Sequence, residues 1–138
     1  MTKPITATLE QSQKFKELGI EFEDSYFIWD QIEENKWRLT PKNQSSFVVS
    51  FYNAPQFEEI IAKLPSILDI DSKLVLLRIH KVLGVYQVEY SLDRITCLPT
   101  VSDLEIKPDK DHIFLNKILT HALADMLIWC GENNHLGQ

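Results

Sequence analysis

The feature that most restricts this chain's fold lies on either side of Gly84. Val75, Leu77 and Ile79 occupy alternate positions before it, and Tyr86, Val88 and Tyr90 occupy alternate positions after it. Alternation with a period of two puts three apolar side chains on one face of each strand, so an antiparallel hairpin is predicted over Lys73 to His80 and Val85 to Ser91. The expected register sets Ile79 against Tyr86, Leu77 against Val88 and Val75 against Tyr90, because it keeps all three apolar pairs opposite one another. The other face carries Arg78, Gln87 and Glu89, with Leu76 and Val85 among them, and is expected to be only partly solvated.

The remaining elements must cover that apolar face. Thr8 and Gln11 have the spacing of a capping box, which predicts a helix from Leu9 to about Leu18, with Gly19 placed for a left-handed C-terminal cap. Residues Ser25 to Thr40 read as a first hairpin, with Glu33 to Lys36 at its tip and Ile32 expected opposite Trp37. A third strand is expected within Phe47 to Tyr52, and a further one within Ile95 to Leu98 ahead of a loop from Pro99 to Lys110. Asn53-Ala54-Pro55 starts a second helix whose buried face is Phe57, Ile60, Ile61 and Leu64, and Pro65 stops it. The last helix is expected from Asp111 as cap to about Asn133. Its apolar arc, from Phe114 to Cys130, spans about half the circumference. Strands and helices alternate too irregularly for a doubly wound sheet. The expected class is therefore α+β: one domain of 138 residues, a mostly antiparallel sheet of two hairpins plus a connecting strand, packed by two or three helices including a long C-terminal one.

Composition excludes several functions. Fourteen Lys and Arg stand against twenty Asp and Glu, a net charge of -6 that repels nucleic acid and anionic membrane in the absence of a basic patch. No run approaches the roughly 18 apolar residues of a membrane span, and the N-terminus lacks a secretory leader's basic start, so a cytoplasmic protein is expected. The two cysteines, Cys97 and Cys130, form no CxxC pair. A reduced compartment follows, with Cys130 as core filler. The four glycines fit neither phosphate-binding fingerprint, and GxSxG, HExxH and deaminase signatures are absent. No cofactor is expected.

Several residues have the right types for chemistry. His121 and Asp125, four apart on the last helix, could meet for acid-base work or share a metal, but both lie at the edge of the apolar arc. The expectation is a structural role with no metal and no reaction. Asp69 and Asp71 lack the glycine and distal glutamate of a calcium loop and read as a solvated turn. Tyr26, Trp29 and Trp37, with Arg78 or His80, could line a pocket for a nucleotide-like signal. The ordinary alternative is cross-strand aromatic packing with a surface histidine. Ile113 and Ile128 project on the otherwise polar side of the last helix and suggest a self-association or partner surface, set against single exposed apolar residues of no consequence.

Three stretches carry a resemblance: Leu9-Glu10-Gln11-Ser12 leading to Leu18-Gly19, Ala54-Pro55 opening a helix that closes at Leu64-Pro65, and Ala122 to Trp129 before an Asn-rich tail. In this order they resemble small uncharacterised proteins of Bacteroidetes phages, prophages and mobile elements. The resemblance implies a genomic setting and supplies no activity and no catalytic residues. The leading functional expectation is a non-catalytic accessory protein that binds a host or phage protein, with possible homo-oligomers. The alternatives are a small-ligand binder and a small enzyme using His121 and Asp125.

Overall fold

The computed structural model describes residues 4–44, 50–70, 73–92 and 113–136. In chain order these form α1 (Leu9–Glu17), β1 (Phe27–Glu33), β2 (Lys36–Pro41), β3 (Phe51–Asn53), α2 (Phe57–Lys63), β4 (Ile67–Ile70), β5 (Lys73–Val82), β6 (Val85–Leu92), β7 (Ile113–Asn116) and α3 (Leu119–Glu132), with a 3-10 turn at Lys42–Gln44. Every strand pairing is antiparallel. The α+β class is as expected, but the two hairpins stand in separate sheets, ordered β2-β1-β3 and β4-β5-β6-β7. The connecting strand β3 pairs with β1 only. After it the chain is diverted through α2, and β4 takes the outer side of β5.

The capping box of α1 is present, with Thr8 Oγ1 accepting from Gln11 N at 3.1 Å and Gln11 Oε1 accepting from Thr8 N at 3.0 Å. Gly19 follows at φ 73°. In α2 the first helical residue is Phe57, so Pro55 lies just before the helix and is itself buried. Glu59 reaches back to accept from Gln56 N at 2.7 Å. Ile60 and Leu64 are buried, and Leu64 turns extended ahead of Pro65.

Both hairpins differ in register from the expectation. In the first, Gln31 rather than Ile32 lies opposite Trp37, and Glu33 lies opposite Lys36. The turn closes on two residues with Asn35 at φ 66°, and the extra residue is absorbed as a bulge at Ile32, whose side chain stays exposed. In the second, Ile79 pairs with Val88 and Leu77 with Tyr90, two residues from the expected partners. The strands run on until only Leu83 and Gly84 remain as a turn, at φ 52° and 81°. Two consecutive positive φ values match the right-handed strand twist, so the tight turn wins over the apolar pairing. A slip of two residues preserves the faces. Leu77 and Val88 share the inner face as diagonal neighbours, Val88 fully buried and Leu77 half-buried.

The last helix is shorter than expected. Asp111 lies outside the described residues, as do the segments expected as a strand and loop over 95–110, Phe47, Asp71 and Cys97. Residues Ile113–Asn116 form strand β7, paired with β6. An apolar, β-forming run beside an unpaired strand satisfies its backbone better in the ladder than at a helix start. Asn116 Oδ1 then accepts from Ile118 N at 2.9 Å, and α3 begins at Leu119.

The core forms where α3 crosses the inner face of the four-stranded sheet. Ala122, Leu123, Ala124, Met126, Leu127 and Cys130 are buried against Leu68, Val75, Val88 and Tyr90, with Ile60, Leu64, Phe15 and Phe22 closing the sides. Among the described residues the outer face has no such cover: Ile67, Leu74 and Leu115 are 54%, 64% and 62% exposed. Leu123→Ala should cost about 2 to 5 kcal/mol in urea unfolding, as for other fully buried leucines. Leu83 is 99% exposed in a backbone region that disfavours a branched side chain. Leu83→Asn should therefore raise stability by up to about 1 kcal/mol, seen as a higher urea midpoint at unchanged slope.

Candidate functional site

The extended residues Thr6–Thr8 tie the two sheets' supports together. Ala7 N donates to Pro55 O at 2.8 Å, and the Trp29 indole Nε1 donates to Ala7 O at 3.0 Å. His121 Nε2 lies 2.9 Å from Thr6 O. A carbonyl only accepts, so that nitrogen carries the proton. Gln11, buried on α1, donates through Nε2 to His121 O at 2.9 Å and to Asp125 Oδ1 at 2.7 Å. His121 and Asp125 are thus both held by polar partners from the N-terminal region. Burial raises the Asp125 carboxyl above its ordinary 3.8, opposed by the Gln11 hydrogen bond and the charge of His121.

Beside this knot lies a cleft of about 680 Å³, whose walls include Ile5, Trp29, Trp37, Leu39, Ile118 and His121. Its volume lies within the range of small-molecule sites, and its character is mostly apolar. Trp29 belongs to β1, while Trp37 and Leu39 belong to the edge strand β2 and project to the same side. Trp37 also packs against Tyr52, ring centroids 5.4 Å apart, with Lys16 Nζ 5.3 Å from the centre of the Tyr52 ring. Arg38 is another wall residue, but its guanidinium is directed to the opposite side of β2, where it lies 3.5 Å from the fully buried Asp30. Its charge is therefore committed to that carboxylate.

The five residues considered for a ligand site fall in three places. Trp29 and Trp37 share the cleft. Tyr26 is exposed before β1, edge-on to Phe27. Arg78 and His80 lie on the outer face of β5, where His80 Nε2 is 3.1 Å from Glu89 Oε1. The cleft instead brings the tryptophans to His121, which the sequence had placed with Asp125. Of the two interface candidates, Ile113 is half-buried on β7, and Ile128 is half-buried against the core on α3.

Cys130 Sγ lies 3.9 Å from Tyr90 Oη, which donates to Pro65 O at 2.6 Å. Burial pushes the thiol up to about 11 and the phenol higher than its usual range. A thiol so placed is not a nucleophile at neutral pH. Among the described residues no group of three or more His, Cys, Asp or Glu is placed to hold a metal ion, and Asp69 is simply exposed on β4. No described helix is long and apolar enough to cross a membrane.

Sequence reasoning missed two residues of this region. Gln11 was legible as a cap, but its second amide contact depends on α1 meeting α3. Asp30 is recognisable only after the bulge at Ile32 is placed, since the bulge sets it opposite Arg38. No protein-family model, curated protein or solved structure matches this chain.

The raised Asp125 carboxyl makes a signed prediction. The folded state holds this proton more tightly than the unfolded state, so wild-type stability falls as pH rises from the ordinary value through the raised one. Asp125→Asn keeps the acceptor for Gln11 and has no proton to lose. Its stability relative to wild type should rise with pH across that window and level off above it, measured by urea unfolding at stepped pH. A difference independent of pH would exclude a raised carboxyl.

Proposed function

We propose that the protein acts by binding another protein through the outer face of the four-stranded sheet. The observation that supports this reading is the exposure of Ile67, Leu74 and Leu115 on that face, opposite the side packed by the helices. Monomeric surfaces carry scattered apolar residues, but large ones on neighbouring strands favour an interaction surface; Ile67 and Leu74 are diagonal neighbours on β4 and β5, and Leu115 lies further along the same face beyond His80 and Gln87. The net charge of -6 disfavours nucleic acid as the partner. The resemblance to phage and mobile-element proteins points to an accessory role with a host or phage protein as partner. Leu74→Lys and Ile67→Lys remove apolar area without touching the core, so both variants should melt at the wild-type temperature and lose the protein that wild type captures. Retention of that same protein by both variants would exclude this face.

A second reading rests on the cleft of Trp29 and Trp37, whose size and apolar walls suit a small aromatic ligand. A ligand at about 100 times its Kd adds roughly 2.7 kcal/mol to stability, which a thermal-shift screen detects. Trp37→Ala should abolish any shift found, whereas Leu74→Lys should leave it intact.

A further inference from the structure

Beyond a heterologous partner, we infer that two copies of this chain join through β7 about a two-fold axis, extending the two four-stranded sheets into one. The two described sheets end in four outer strands, β2, β3, β4 and β7. Natural sheets guard such edges with charge, proline or shortness, because unpaired backbone groups recruit further strands. β2 carries Lys36, Arg38 and Pro41, and β4 carries Asp69. β3 has three residues, with Lys42 Nζ 3.4 Å from Asn53 Oδ1 and 5.9 Å from the Phe51 ring centre, and Lys16 over Tyr52. β7, Ile-Phe-Leu-Asn, like β3 has neither charge nor proline, but it is longer than β3, and Leu115 within it is 62% exposed.

The occupant is specified by register and charge. An axis perpendicular to the sheet keeps each side chain on its own face, so only residues of the same face can stand opposite one another. Centring on Phe114 sets Ile113 against the partner's Leu115 on the outer face and the two Phe114 rings against each other on the inner face, so the three pairs over Ile113 to Leu115 are apolar on apolar. Centring on Leu115 instead would place Phe114 against Asn116 and Ile113 against Lys117. Each chain carries -6, so self-association needs an edge free of acid, and β7 provides one. The contact is isologous, so it closes at two copies and does not propagate.

Sedimentation equilibrium of the full chain should give twice the chain mass at high concentration. Leu115→Lys should return the mass to that of one chain while keeping the melting temperature that wild type shows when diluted to single chains, and Leu74→Lys, which lies on the outer face but away from the edge, should remain a dimer. Amide exchange of Ile113 to Leu115 provides an independent measurement: it should slow with rising protein concentration in wild type. A wild type of single-chain mass, a dimer that survives Leu115→Lys, equal loss in both variants, or exchange at β7 independent of concentration would each overturn the inference. Loss of partner capture in Leu74→Lys with the dimer intact separates this contact from the proposed heterologous one.

Discussion

Burial of α3 is the constraint on which the rest of the structure depends. Helix Leu119–Glu132 packs on the inner face of β6 and β7, against α2 on one side and α1 on the other. Ala122 and Ala124 are small enough to let neighbouring backbones approach, while Leu123, Met126 and Leu127 fill the space between them. Among the described residues the two sheets share no strand and no ladder, so their relation is set by what each packs against. Tyr90, Cys130 and Pro65 show how far this ordering reaches: a phenol within the core finds a carbonyl at 2.6 Å and lies beside a thiol that burial keeps protonated at neutral pH.

A second constraint acts through hydrogen bonds. The short stretch Thr6–Thr8 receives Trp29 from the small sheet and His121 from α3, while its own Ala7 N–H reaches Pro55 ahead of α2. Gln11 extends the same knot, satisfying the cap of α1 and the half-buried Asp125 with one amide. Buried polar groups of this kind are stabilising only when each has a partner, and here Trp29, His121, Ala7, Gln11 and Asp125 each have one. The cleft beside Trp29 and Trp37 is a consequence: it forms where the extended N-terminal stretch bridges β1 and α3 without filling the space in front of β2.

The protein-binding reading proposed above rests on what these constraints leave uncovered. The helices take one face of the four-stranded sheet, and no described element takes the other, so its leucines and isoleucine remain in water. Chemistry has been drawn inward instead. His121 and Asp125 are tied to the N-terminal region, Asp30 is buried beside Arg38, and Cys130 is enclosed.

Much was legible in the chain by itself. The capping box at Thr8 and Gln11, the stop at Pro65, the alternation around Gly84 and the α+β class all follow from local preferences and periodicity, which act within a few residues. Tertiary structure decided the rest. The hairpin registers each moved because the turns closed on two residues, a choice set by strand twist and invisible to apolar counting. Ile113–Asn116 became a strand because β6 offered it a ladder, and a run of apolar residues is compatible with helix or strand until a partner is present. Gln11 bonds Asp125, and Trp37 lines one cleft with His121, each pair more than eighty positions apart, and no local pattern encodes a placement that exists only once the core has brought its elements together.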